Sequence, residues 1–488
     1  MYALSMLSNL NSNYPAETQQ DLYNQADKVK MVLAETSFQD FAGKWSVVWG
    51  PGLLSKEEKP STATESKWVA HNAMFMLKKE GCEEYFIGVA GTNGISAFDW
   101  FKEDFEVSTM VAWPPKYLNA GKLLEDCKIA EGTNTGLEIL WKMKGSQEKE
   151  TTLFEYITQL LTNLGPNKCT IAIGGHSLGG CLAPVLGVAL VDALKHADLT
   201  HNTTLASRVT VVVHPTAGPT PGNQGFANHM GDSVDYSAII NQNDAVPQAW
   251  DFEGLRELKG AYDNVDFGGV KLSPNKGIVH NFLRWAQSLP GSNIYRRRPK
   301  SAEKEFQVHE WRQKVYTSLD PDHPEKTKEM VNKFSGIFLH YKIFFNAQKL
   351  KGKYERNFRS QLAAFFLQMG AQHVKAYSNQ TEMPESSGLV IPKKVQELMS
   401  AQYYKPTKDM EKWIIAQLID ELAELTKRAA QWLKKQPKLA SLEEPQGPIA
   451  EFSNEREEES LSEEAFAPVL KDLQESVSSL PFFKNPLI

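Results

Sequence analysis

Thr170-Ile171-Ala172-Ile173-Gly174-Gly175-His176-Ser177-Leu178-Gly179-Gly180 is the stretch from which the rest of the chain is read. An apolar β-type run leads into a serine with glycine two residues before and two after it, and a long apolar segment, Cys181 to Leu194, follows. Strand, tight turn and helix, in that order, form the context in which G-x-S-x-G becomes a nucleophile elbow. Such a turn holds the serine in a strained backbone conformation, and a side chain at either glycine would collide with the strand or the helix. Gly174 and Gly180 widen this collar of small residues. Ser177 is the expected nucleophile, and a Gly-rich loop with an incidental serine is the weaker alternative.

Bulk properties exclude several function classes. With 488 residues the chain can bury a large core and is expected to form more than one compact unit. A net charge of -6, with Lys and Arg spread along the chain, gives no reason to expect nucleic acid. The short cluster Arg296-Arg297-Arg298 reads as a solvated loop. Cys82, Cys127, Cys169 and Cys181 have no metal-ligand spacing and form no dense framework, so neither a metal nor a disulfide scaffold is expected. Met1 to Tyr14 lacks the features of a signal peptide, and no apolar run reaches a membrane span. The expectation is a cytoplasmic protein, or one exported without a recognisable signal.

Further β-type runs are Trp68 to Leu77, Tyr85 to Ala90, Val209 to Val213 and Tyr236 to Ile240. Residues 15–35 and 153–163 have helical spacing. Strands alternating with helices imply an α/β fold with a central, mostly parallel sheet, whose reactive residues gather beyond the carboxyl ends of the strands. Pro184 is expected to kink or interrupt the helix after the elbow. From about residue 251 the strand signal fades. The expected division is a core over 1–250, a helix-rich insertion carrying the base over 251–380, C-terminal helices over 381–438, and an acidic, disordered tail over 439–488. An apolar stripe through Trp413, Leu418, Leu422, Leu425 and Leu433 marks the C-terminal helices.

A serine hydroxyl becomes a nucleophile only with a base in reach, a carboxylate to orient the base, and donors aimed at the oxyanion. The carboxylate should follow a later strand than the serine, and the histidine should follow the carboxylate. Asp244, at the end of Tyr236 to Ile240, fits; Asp232 and Asp235 precede that strand and would point away. A capping role in the loop is the alternative for Asp244. Oxyanion donors are expected from the N–H of Leu178 and from the loop Gly91-Thr92-Asn93-Gly94, at Thr92, with a simple Gly-rich turn as the alternative for that loop.

These residues resemble the class 3 (fungal-type) lipases. Val89-Ala90-Gly91-Thr92-Asn93 with Phe98-Asp99-Trp100 is similar to the family's R-G-T…D-W signature, and Gly175 to Gly180 to its G-H-S-L-G-G. Thr216 to Asn223 with Phe226-Ala227, and Asp244-Ala245-Val246-Pro247, resemble its next two loops. The resemblance implies an α/β-hydrolase core with Ser177 as nucleophile, Asp244 as acid, and Thr92 with Leu178 as oxyanion donors, and it implies no cofactor. Ala90 departs from the family's arginine and removes a charge that would brace the oxyanion loop.

Candidates for the base after Asp244 are His280, His309, His323, His340 and His373. Gln372-His373-Val374-Lys375-Ala376-Tyr377 is similar to a segment of bacterial relatives and makes His373 the first choice. His309, in Val308-His309-Glu310-Trp311 after a possible strand Asn293 to Arg296, is second, and His280 is third. Met110 to Tyr117 lies where these lipases place a lid, with a loop packed on the core as the alternative. The function expected is a serine carboxylic-ester hydrolase acting on lipid or small acyl esters, with transient contact to a lipid interface. The rival reading is a weakly catalytic or inert scaffold that binds a partner through its C-terminal helices.

Overall fold

The computed structural model describes residues 1–9, 15–61, 63–91, 109–145, 150–258, 260–272, 294–337, 352–379, 390–402 and 413. One seven-stranded sheet runs through them. Side by side it contains β1 (Trp45–Glu58), β2 (Lys67–Lys79), β3 (Glu84–Val89), β6 (Cys169–His176), β7 (Val209–Thr216), β8 (Asp235–Asn241) and β11 (Phe306–Trp311). β4 (Met110–Trp113) and β5 (Leu124–Ala130) form a separate antiparallel ribbon, and β9 (Asp266–Phe267) pairs with β10 (Val270–Lys271). β1, β2 and β3 are antiparallel; from β3 through β11 every pairing is parallel. This is the α/β architecture expected from the elbow and its flanking runs.

The parallel strands are covered on both faces, which is why they read as nearly continuous apolar runs. Tyr85, Ile87, Ile171, Ile173 and Val213 face a core shared with the helices Glu131–Lys142, Leu153–Asn163 and Leu178–His201. Phe86 and Ala172 face a second core, which contains Tyr2, Leu4, Phe38, Trp45, Trp311, Tyr377 and Val395. Every residue from Leu178 to Leu194 is buried, so this helix is apolar all round. Among the described residues it alone is long and apolar enough to cross a membrane, and 83% of its most apolar window is buried inside the fold. It continues unbroken past Pro184.

Four features differ from the sequence expectations. Residues 15–35 hold two helices, Gln19–Ala26 and Lys28–Ala34, the first closed by a capping box between Thr18 and Asp21. β1 escapes notice because Gly50-Pro51-Gly52 reads as a turn; at the sheet edge the proline is accommodated among register shifts. β11 extends the sheet beyond the 1–250 boundary, and its polar Gln307, His309 and Glu310 hide it from an apolar-run search. Of the strand expected over Asn293 to Arg296, the described residues 294–296 form one bridge, between Tyr295 and Asn223. Of the C-terminal stripe, Trp413 is described: it is buried and its indole donates to Glu65 O at 2.9 Å. The remainder of that stripe and the acidic tail lie outside the described residues.

Two histidines at the sheet make stability depend on pH. Burial pushes His214, on β7, down from 6.5 to about 4. His176, at the end of β6, lies well below 6.5 through burial and the proximity of His373. Both stay neutral in the fold while the unfolded chain takes up protons, so stability falls as the pH drops below about 6.5. For His214 the loss stops growing near pH 4. His214→Asn is expected to narrow the gap between urea midpoints measured at about pH 7 and about pH 5. An unchanged gap would contradict this assignment.

Candidate active site

Ser177 has φ 60° and ψ -127°, a conformation that L-residues adopt only when the surroundings impose it. Its N–H donates to Thr216 O at 3.0 Å and its carbonyl accepts from Cys181 N at 3.1 Å, which fixes the turn from both sides. The glycine collar has a measurable cause. A Cβ on Gly175 would stand 2.4 Å from Val89 O, one on Gly179 2.3 Å from the same oxygen, and one on Gly180 2.4 Å from Thr216 O. Gly174 is small for a different reason: its Cβ would meet Ser5 Oγ at 2.2 Å, so the first helix, Tyr2–Leu7, demands it. Leu178 opens the helix after the serine, so its N–H has no acceptor within the helix and lies at the positive end of the helix dipole.

Asp244 lies three residues beyond β8 and is fully buried. Its Oδ1 accepts from Val246 N at 2.9 Å, capping the short helix Ala245–Gln248, so the capping role and the carboxylate role coexist in one residue. Its Oδ2 is 2.8 Å from Nδ1 of His373. His373 sits in a single π turn, Ala371–Lys375, which continues the helix Gly352–Gly370. Such insertions rotate a side chain out of the regular helical register and recur at functional sites.

The other candidates lie elsewhere. His309, on β11, points its Nε2 at Ser237 Oγ, 3.2 Å away, and in register it stands beside Ile239 rather than beyond the strand end. His323 pairs with Asp320 at 3.0 Å. Asp232 and Asp235 receive backbone N–H groups of Glu303 and Glu305 at the opposite end of β8. His280 and His340 lie outside the described residues, as does Thr92; Gly91 is the last described residue before it.

A buried amide network, not anticipated from sequence, joins the end of β8 before Asp244 to the turn that carries His373. Asn241, at the end of β8, donates through Nδ2 to Gln372 Oε1 at 2.8 Å and to Gln372 O at 3.1 Å. Its Oδ1 accepts from the N–H groups of Asn243 and Gln313, both at 3.1 Å. Gln372 in turn donates to Lys314 O at 3.1 Å. The Tyr377 hydroxyl accepts from Asn241 N at 2.8 Å; burial, then the Asp244 charge, holds its pKa well above 10. His176 Nε2 lies 3.0 Å from the His373 carbonyl, which can only accept, so that nitrogen carries the proton. Kept neutral by burial, His176 adds no positive charge beside the His373 ring, 4.7 Å away.

Arg297 corrects the reading of its cluster as solvated. It is buried, and Nη2 donates to Gly218 O at 2.8 Å, to Thr220 Oγ1 at 3.3 Å, and to Pro247 O. One guanidinium therefore ties the loop after β7 to the loop carrying Asp244. The short Arg-rich run gave the only signal, and nothing in it separates the buried arginine from its neighbours. Of the two readings of Met110 to Tyr117, lid or packed segment, the packing of Trp113 fits the second: it is fully buried in the β4–β5 ribbon and its indole donates to Asp192 Oδ2 at 2.8 Å.

Residues 86–252 match the family model described as Lipase (class 3). Among solved structures the chain is similar to one described as the crystal structure of M37 lipase, with 23% identity and a TM-score of 0.50, covering 82% of this chain and 97% of that one. The lipase from Rhizopus microsporus var. chinensis is similar at 13% identity and a TM-score of 0.32, covering 51% and 67%. No curated protein sequence matches. The match to the class 3 lipase model runs from β3 through the elbow to the Asp244 loop.

Proposed function

We propose that this chain is a serine carboxylic-ester hydrolase that cleaves lipid acyl esters through an acyl-enzyme on Ser177. The match of residues 86–252 to the class 3 lipase model supports lipid ester hydrolysis as the reaction class. The observation that carries the finer reading is the pair Asp244 Oδ2 to His373 Nδ1 at 2.8 Å, buried beyond the same end of the sheet as the strained serine. With Nδ1–H held by the carboxylate, His373 presents Nε2 as a base. It takes the Ser177 proton as Oγ attacks the ester carbonyl and returns that proton to the departing alcohol. Water then repeats the sequence on the acyl-enzyme and regenerates Ser177. The oxyanion is received by the Leu178 N–H and, on the family resemblance, by Thr92. Asn241 and Gln372 hold base and acid in one frame, so the imidazolium forms without rearrangement of its neighbours.

The test is covalent. A fluorophosphonate probe is expected to label the protein in a 1:1 ratio, with the added mass on the peptide containing Ser177, and to stop hydrolysis of nitrophenyl esters from butyrate to palmitate in proportion. Label on another residue, or no turnover of any ester by the folded protein, would refute the proposal. The chain-length optimum distinguishes a short-chain esterase from a lipase.

A further inference from the structure

The helix Tyr2–Leu7 and the two residues after it touch both walls of the elbow. Asn9 Oδ1 accepts the Gly91 N–H at 2.7 Å. Ser8 Oγ lies 2.9 Å from Val89 O and 2.6 Å from Ser5 O, sharing one proton between two carbonyls. Val89 ends β3 and Gly91 opens the loop that leads to Thr92; Ala90 between them is buried and has no polar side-chain atom. At the other end, the Tyr2 hydroxyl donates to Tyr377 O at 2.7 Å, one turn beyond His373. Between these anchors Ser5 presses on Gly174, and Gly91 itself abuts the elbow, since a Cβ there would stand 2.6 Å from His176 O.

The hydrogen bonds of Ser8 and Asn9 to Val89 and Gly91 thus fall on backbone that frames Ser177. Ala90, at the root of this strand-end loop, has no polar side-chain atom with which to fix its direction. An amide N–H at such a place wanders unless a fixed acceptor holds it. We propose that Asn9 is a positioning residue for the oxyanion side of the site: by holding the Gly91 N–H it sets the direction in which the chain leaves β3 toward Thr92. This rests on the reading of Ser177 as the nucleophile.

The test compares wild type, Asn9→Leu and Asn9→Asp. Leucine has nearly the volume of asparagine but accepts no hydrogen bond, whereas aspartate keeps the acceptor. Asn9→Leu is expected to lower kcat on nitrophenyl butyrate about 10- to 100-fold with KM within about twofold, because an oxyanion donor acts mainly in the transition state. A trifluoromethyl ketone, which forms a tetrahedral adduct bearing the same oxyanion, is expected to lose affinity by the same factor. Asn9→Asp should recover most of both. In all three proteins, amide exchange is followed in the peptide that ends at Gly91, and it should quicken about tenfold in Asn9→Leu alone.

Unchanged kcat in Asn9→Leu, or equal loss in both variants, overturns the proposal. The exchange measurement needs no catalysis, so Gly91 protection that is unaltered in Asn9→Leu overturns it even if the protein is inert toward esters. Inertness of the wild type overturns instead the reading on which the proposal rests. Should Asn9→Leu not fold, Asn9→Ala removes the same acceptor at smaller volume and is read in the same way.

Discussion

Ser177→Ala is expected to lower kcat/KM for nitrophenyl esters by about 10⁴-fold or more, because triad members act as a unit and the survivors catalyse little alone. The substitution removes one oxygen and leaves the backbone untouched. The turn is set by bonds to Thr216 O and from Cys181 N and by the glycine contacts with Val89 O, none of which involves the hydroxyl. The unfolding midpoint should therefore stay close to that of wild type, which separates loss of chemistry from loss of fold. Turnover within about tenfold of wild type would place the nucleophile elsewhere. Gly175→Ala would not serve as an equivalent probe, since its methyl would sit 2.4 Å from a backbone oxygen and disturb the elbow itself.

The elbow was legible in the sequence because its physical demands fall on adjacent residues. A strained serine needs small neighbours, and Gly175, Gly179 and Gly180 are those neighbours in the chain as well as in space. Asp244 was legible for a similar reason: a carboxylate just past an apolar strand has few places to go. The proposed base was harder to read. His373 lies 129 positions from the aspartate it meets, and the helix that carries it has no periodicity that announces a π turn. Only local resemblance separated it from His309. Asn241 left no signal and Arg297 only an Arg-rich run that does not single it out, because their importance lies in backbone carbonyls and amides brought together by the fold. Backbone groups leave no trace in a sequence. The first helix, Tyr2 to Leu7, was not legible for the same reason: its six buried residues carry no motif, and its place shows only when Gly174 is seen beneath Ser5.

The choice between histidines yields the second large effect. His373→Gln is expected to lower kcat/KM about 10⁴-fold, while His309→Gln leaves it within about twofold. Glutamine at 373 can still reach Asp244, so the buried carboxylate keeps a donor and the variant should fold; what it loses is a group able to take and return a proton. His309 bonds Ser237 in the middle of the sheet edge, a contact whose removal touches packing but not the elbow. Asp244→Asn completes the set. An asparagine there presents either an oxygen or an amide to Nδ1. The amide orientation would favour the imidazole tautomer with its proton on Nε2, which cannot accept from Ser177. The pH dependence then distinguishes orientation from electrostatics. An aspartate that only held the ring in place would leave Asp244→Asn with a small, pH-independent loss. An aspartate that fixes the tautomer gives a large loss, which hydroxide partly recovers as the pH is raised. If His309→Gln carried the larger loss, the 2.8 Å contact between Asp244 and His373 would be a structural ion pair, and the base would have to reach Ser177 from the opposite side of β8.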